Sequence, residues 1–495
     1  MPQPVFLTKE KWCWIVIGML LFGYITTRAF TVSITHDEVN TCLLYAKMSI
    51  YDIVTYKDPI PNNHILHTLL VKLSENLFGT SQFTVRIPNL LGFWVYFAAT
   101  IAFVRGCSSK RVIRIFAFAV LMLNPFLIDF FSLARGYALA ADFMLAACYM
   151  SYLWLYNAQT KYLIFALGLS IGAVYANFTT LNFFAPLIAL LFFSIIQHTD
   201  DVKGDISSKR SFILKHLLIL IVGCLILASI SYLPIKAMQT TNQFRFWGAK
   251  GFYEDTLKTL AYMSIDGINY VKDLTTTVEI FAIVIVGYLG IICVVLSINL
   301  WNKGMQIKHN AFAFFTLLLL GAIASVIVQH IVIGTPYVTS RTALFYLPLF
   351  ALATIFFAEE LATFNYKLAK ILYIPLTAFI VWHFARTANL SCANEWWYNR
   401  DDKVVLNHLK KIYHNSKRTE PIQLDAHWLF LPAFHFYERT ENLYWVKIAE
   451  WHSDERPNGD AEYYYVTSDV LNPYLKNYEP IMDFEAKSRV LLHKK

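Results

Sequence analysis

Charge is scarce in this chain. Asp, Glu, Lys and Arg make up only 15% of its 495 residues, against about 25% in an average soluble domain. So little charge cannot coat a water-soluble globule. The seven cysteines, at 13, 42, 107, 148, 224, 293 and 392, have no paired spacing, which excludes a disulfide framework and a zinc finger or ribbon. A bridge between Cys42 and Cys392 is disfavoured. There is no internal repeat and no low-complexity tract, so a solenoid and a disordered tail are excluded. Basic residues form no helical stripe, and the net charge of +8 therefore gives no sign of a nucleic-acid partner. No small-residue cleavage site follows the first apolar run, which is read as a retained signal anchor.

What is present is long apolar runs. The chain is 57% hydrophobic and 16% aromatic, with a mean hydropathy of +0.45. The apolar residues fall in stretches of roughly 18–22, enough to cross about 30 Å of hydrocarbon as helices. Eleven spans are expected, near 12–29, 83–104, 113–131, 136–156, 162–178, 180–197, 215–234, 278–300, 311–333, 342–361 and 370–387. The fifth and sixth are separated by a few residues only, as a tight hairpin or as helices that stop short of the far interface. The fold class is an all-α polytopic membrane protein with a small extracytoplasmic α/β domain at its C-terminus.

Loop charge sets the orientation. With the N-terminus inside, fifteen lysines and arginines from Lys9 to Lys370 fall in inside segments, and the short outside loops hold only Arg135 and Arg341. Three longer regions then face outward: a first loop at 30–82, a second at 235–277, and 388–495. Helical spacing predicts interfacial helices over Glu38–Val54 and Asn63–Phe78, separated by Pro59 and Pro61. In the C-terminal region a helix is expected over Asp402–Tyr413. Strands are expected at Ile422–Leu424, Trp428–Leu431, Ala461–Thr467 and Val490–His493. The domain division is therefore 1–387, transmembrane, and 388–495, extracytoplasmic.

Polar residues in so apolar a chain mark candidate sites. His36-Asp37-Glu38 follows the first span. The plain reading is an N-cap, with Asp37 capping a helix and Glu38 favouring its positive end. The chemical reading is a carboxylate that deprotonates an acceptor or holds a divalent cation. Asn62-Asn63-His64, with His67 one turn on, is either ordinary surface polarity or a donor-rich stretch for sugar or phosphate. The His64/His67 spacing does not match a His-Glu-x-x-His zinc motif. Arg135 and Arg341 either snorkel to headgroups or clamp a phosphate bidentately. Tyr137 follows Arg135 closely. Lys236, Arg245, Lys250, Glu254 and Asp266 in the second loop are further candidates, as are Asp129 and Asp142 in or near spans. Asn177 and Asn389 head glycosylation sequons.

In this order the pieces resemble the GT-C superfamily of membrane glycosyltransferases, in the branch of protein O-mannosyltransferases and lipid A aminoarabinose transferases. The resemblance rests on Asp37-Glu38 after the first span, Asn62-Asn63-His64 through His67, and Phe78-Gly79 through Arg86-Ile87-Pro88. Asn124-Pro125 with Arg135-Gly136-Tyr137 and Ser340-Arg341 complete it, and it covers roughly 10–390. It implies inverting transfer of a sugar from a polyprenyl-phosphate donor to a protein, glycan or lipid acceptor on the outer face. It implies catalytic roles for Asp37 and Glu38, with Asp37 the base or acceptor-orienting group. Arg135 and Arg341 would hold the donor phosphate, and His36, Asn62, Asn63, His64, His67 and Tyr137 would contact substrate. No obligatory metal or other cofactor is implied, although Asn-Asn-His in place of the commoner His-Pro-Pro-Leu leaves a divalent cation open.

The rival reading is a polytopic transporter or lipid flippase. Transporters carry repeats and midplane polar breaks, whereas here the polar clusters lie on one side. An O-antigen-ligase-like enzyme would place its large outer loop late, and here the first loop carries the acids. An inactive scaffold is the third reading.

Overall fold

The structure, a computed structural model, describes residues 8–245, 248–265, 273–416, 418–452, 461–468, 476–484 and 489–495. Asp266 and the side chain of Arg245, both named above, lie outside the described residues. Among the described residues, nine helices are long and apolar enough to cross a bilayer. They are Trp12–Thr31, Gln82–Gly106, Gly136–Asn157, Phe178–Asp201, Ile206–Thr240, Leu274–Asn302, Ala311–Ile333, Tyr346–Phe364 and Tyr366–Thr387. The chain is a multi-pass integral membrane protein.

The other two expected spans are helical but differ in extent. The third breaks into Arg111–Met122 and Pro125–Phe130. Pro125 has no N–H to continue the first helix, and Asn124 caps the second through its side chain, which accepts from Leu127 N at 3.1 Å. The fifth runs from Thr160 to Ala176, 17 residues, or about 26 Å at 1.5 Å per residue. A single turn, Phe178–Thr180, joins it to Leu181–His198, so the pair is a tight hairpin.

The described chain forms two compact units. One comprises residues 1–25, 49–70 and 88–388, and the other 26–48, 71–87 and 389–495. In the first, Gly136–Asn157 packs on Thr160–Ala176, and Leu181–His198 packs on Ala311–Ile333. The latter also meets Tyr346–Phe364, which with Tyr366–Thr387 packs against Arg111–Met122. Leu225, Ile283 and Val294 are more than half exposed, an apolar surface that lipid, not water, can cover.

The second unit is built on a five-stranded sheet. Its strands are β1 (Ile422–Ala426), β2 (Val446–Ile448), β3 (Tyr463–Thr467), β4 (Tyr478–Phe484) and β5 (Arg489–Lys494), in the order β2-β1-β3-β5-β4. β1 is parallel to β2 and β3, and β5 is antiparallel to β3 and β4. Tyr464, Val466, Tyr478, Val490 and Leu492 form one core cluster on it. Each such side chain contributes about 1.5–3 kcal/mol by leaving water. The expected helix is present as Asp402–Asn415. The expected strand at Trp428–Leu431 is not. That segment leads into the helix Leu431–Glu441, whose Pro432 stands in the first turn, where a missing N–H is harmless.

The interfacial helices also need correction. Ile65–Phe78 forms as one helix, but Glu38–Val54 does not. It divides into a short helix His36–Val39, a π-turn at Asn40–Leu44, a tighter turn at Tyr45–Lys47 and a new helix Ile50–Thr55. Met48 is extended, and Ser49 caps the new helix by accepting from Asp52 N at 3.0 Å.

Candidate active site

The predicted residues fall into two groups, one in each unit. In the sheet-bearing unit, the short helix His36–Val39 carries the acids. Its cap is Thr35, not Asp37. Thr35 Oγ1 accepts from Glu38 N at 3.4 Å, and Glu38 Oε2 accepts from Thr35 N at 2.9 Å, a reciprocal capping box. Glu38 is fully buried and also takes two hydrogen bonds from Arg86, Nε to Oε1 and Nη2 to Oε2, both 2.7 Å. Its carboxylate is enclosed by protein and holds the loop in place.

The rest of the Arg86 guanidinium donates to the carbonyls of Ala29, Val32 and Ser33 at 2.9–3.1 Å. Gln82 Nε2 donates to the carbonyls of Ala29, Phe30 and Val32. Arg28, also fully buried, donates to the carbonyls of Asn389 and Cys392 at 2.6 and 2.9 Å. Gln82 and Arg86 thus satisfy carbonyls at the end of the first helix and just beyond it, and Arg28 satisfies carbonyls that follow the helix Tyr366–Thr387.

Asp37, half-buried, points elsewhere and accepts from Trp396 Nε1 at 3.2 Å. His36 N donates to Asn399 Oδ1 at 3.0 Å, and its ring meets Trp428 edge-on at 5.5 Å. Asn399 in turn donates to Asp402 at 2.8 Å, and burial pushes the Asp402 carboxyl well above the usual range. His36 and Asp37 are thus framed by Trp396, Asn399 and Trp428, from the C-terminal region.

The arginine group lies in the membrane-helix unit. Asn89 positions Arg135: its side-chain amide donates to the carbonyls of Phe130, Leu133 and Arg135 at 3.1, 2.5 and 2.7 Å. This fixes the turn ahead of the helix Gly136–Asn157. Arg135 is buried. Nη2 donates to Asn62 Oδ1 and lies 3.1 Å from His64 Nε2. Its guanidinium stands 5.9 Å from the centre of the Tyr137 ring, which meets His64 edge-on at 4.8 Å.

Residue 136 must be glycine, because a Cβ there would collide with the Ala176 carbonyl and the His64 side chain. Asn63 is a scaffold residue. It donates to the Ile53 carbonyl and accepts from Thr68, and its own carbonyl accepts from Tyr56.

Burial, then Arg135, His67 and Arg341, lower His64 well below the usual imidazole range. His67 is lowered to about 3, by burial and then Arg135. Burial and the neighbouring arginine charge thus favour the neutral form of both rings. His67 has no hydrogen-bond partner among the described residues. Arg341 lies in the turn Ser340–Ala343. The segment that follows the helix Ile206–Thr240 braces that turn: Thr259 Oγ1 accepts from Ser340 N at 3.0 Å, and Ala249 pairs with Tyr337. Arg341 lines a small cavity with Tyr137, Asn177, Thr180 and Phe345. Asn177 is buried and accepts from Thr179 N, so its sequon is not open to a glycosylating enzyme in the folded state.

Sequence reasoning missed Arg28, Gln82, Asn89 and Trp396, and gave Arg86 no role beyond a motif. Asn89 and Arg86 carried a signal, as polar residues within one apolar span.

Among solved structures, the chain is similar to ArnT from Cupriavidus metallidurans, at 12% identity in the apo state and 10% bound to undecaprenyl phosphate. The TM-scores are 0.41 and 0.42, and 98% of both chains is covered. It is also similar to the Archaeoglobus fulgidus oligosaccharyltransferase in complex with zinc and sulfate, at 12% identity and a TM-score of 0.47. That match covers 93% of this chain and 68% of that one. No family model and no curated protein matches the chain.

Proposed function

We propose that the protein is an integral membrane glycosyltransferase. It moves a sugar from a polyprenyl-phosphate donor to a protein, glycan or lipid acceptor on the extracytoplasmic face, with inversion. The observation that carries this reading is the convergence of Arg135 and Arg341 about His64 and Tyr137 in an otherwise apolar helical unit. Two guanidiniums on neutral histidines suit an anion, and phosphate accepts the bidentate fork.

In the reaction, the bond from the sugar's anomeric carbon to the phosphate oxygen breaks and its electron pair stays on the phosphate. Arg135 and Arg341 meet that growing charge, stabilising the transition state more than the bound donor. The acceptor's lone pair forms the new bond from the opposite face, and Asp37 takes the acceptor proton. Trp396 and Asn399 orient the Asp37 turn. Glu38, named above as catalytic, acts on the positioning of that turn through Arg86. Polyprenyl phosphate leaves.

The experiment is a transfer assay in lipid with a panel of polyprenyl-phosphate sugars, following polyprenyl-phosphate release by wild type and Asp37→Asn. Release by wild type alone supports the reading and names the donor. Absence of release from every donor by folded wild type overturns it in favour of transport, and flux measurements follow.

A further inference from the structure

The helix Leu181–His198 ends about 27 Å from the Arg341 cavity, counting 1.5 Å for each of its 18 residues. At that far end lies a second cluster, unrelated to sugar transfer. His198, Asp201 and His309 are the one group of three His, Cys, Asp or Glu among the described residues whose ligand atoms all lie within 4.8 Å of one another. We propose that they form a binding site for a divalent transition metal, with zinc the best match.

The geometry centres on one carboxylate oxygen. Asp201 Oδ2 is 3.0 Å from His198 Nδ1 and 4.0 Å from His309 Nε2. The two imidazoles stand 5.7 Å apart at 90°. Zinc bonds of 2.0–2.2 Å in a tetrahedron set ligand atoms about 3.3–3.5 Å apart. With all three ligand atoms within 4.8 Å of one another, closing the site requires a shift of no more than about 1.5 Å, and His309, half exposed, has room to make it. Two imidazoles with one carboxylate suit zinc, and less so calcium or magnesium, which favour oxygen ligands. Water would complete the shell.

The cluster is built, not scattered. Gln197 clamps the loop that carries His309: its Oε1 accepts from Ile307 N and Lys308 N at 2.9 and 3.0 Å, and its Nε2 donates to the Met305 carbonyl at 2.6 Å. His309 itself has φ of 59°, a left-handed conformation that non-glycine residues adopt when the surroundings impose it. Lys308 Nζ, 2.8 Å from Asp201 Oδ1, fixes the carboxylate so that Oδ2 faces both rings. His198 is buried, and its Nε2 has no hydrogen-bond partner among the described residues. Its polar anchorage thus runs through Nδ1, the ligand atom.

A His198–Asp201–Lys308 cap on a helix end would explain three of these residues. It does not explain the aim of His309 at the same oxygen. His309 also borders a cavity of about 340 Å3 with Tyr156 and Glu359, which gives an ion a way in. A bound metal would tie the end of Leu181–His198 to the loop ahead of Ala311–Ile333.

The test uses tag-free, full-length protein in nanodiscs, stripped with chelator and titrated with cobalt and then zinc. Wild type is expected to bind one equivalent of cobalt with the visible absorption of a four-coordinate ion, and to release it to zinc. His309→Ala and Asp201→Asn should each weaken binding at least tenfold, with unchanged helix content. Less than one equivalent on wild type, or unchanged affinity in His309→Ala, overturns the site.

Discussion

Removing the Arg86 side chain tests how the Asp37 turn is held. Arg86 and Glu38 are both fully buried and joined by two 2.7 Å hydrogen bonds. Arg86 also serves the carbonyls of Ala29, Val32 and Ser33. Arg86→Met keeps most of the volume but leaves Glu38 charged, buried and unmatched. Breaking a buried pair from one side costs about 3–5 kcal/mol. At about 1.4 kcal/mol per tenfold, that raises the population of an opened 29–38 segment by about 140- to 3,700-fold. Hydrogen exchange of the Val32–Val39 amides in lipid reads this directly. The double variant Arg86→Met/Glu38→Gln removes the stranded charge and should recover part of the loss, as coupled sites do. An increase in exchange of less than tenfold in Arg86→Met would refute the reasoning, since the loop would then be held by something else.

Asp37→Asn should lower kcat at least a hundredfold, the scale of a lost general base, with exchange over 29–38 unchanged; near-normal turnover removes Asp37 from the chemistry. Arg135→Ala should cost about 10²–10³ in kcat/KM, as for a lost oxyanion donor, and Arg341→Lys should raise the donor KM, because it keeps the charge and loses the fork. Unchanged constants exclude either arginine from donor binding. His67 is lowered to about 3, whereas the unfolded chain protonates it near 6.5. The unfolded state therefore binds more protons between pH 6.5 and 3. Stability should fall with acidity by up to about 1.4 kcal/mol per pH unit over that window. A variant with His67→Phe should show a shallower slope of thermal midpoint against pH, and an identical slope contradicts the assignment. Gly136→Ala should destabilise by about 1–3 kcal/mol through overpacking against Ala176 and His64, read as a lower thermal midpoint.

The membrane helices were legible because each needs its own run of apolar residues, and all eleven runs are helical. What was not legible depends on partners distant in sequence. Glu38 reads as one of two equivalent acids beside Asp37, and only Arg86, 48 positions on, separates their roles. Asn89 is a lone amide in an apolar run until the Phe130–Arg135 turn is folded over it. The false strand at Trp428–Leu431 was apolar enough for a sheet, but Pro432 starts a helix there. Strands β2 and β4 are short or mixed in polarity, and pairing with β1 and β5 defines them.

The sheet-bearing unit draws its pieces from 26–48, 71–87 and 389–495. During synthesis the first two pieces emerge long before the third. About 300 residues separate them, which at about 5–20 residues per second is a wait of about 15–60 s. Through that interval Arg28 lacks the Asn389 and Cys392 carbonyls that receive it in the finished protein. The turn bearing Asp37 lacks Trp396 and Asn399. The acidic turn is therefore completed last, after the helix Tyr366–Thr387 has been made, so a ribosome that stops short of residue 389 leaves the Asp37 turn without the Trp396 and Asn399 side chains that orient it.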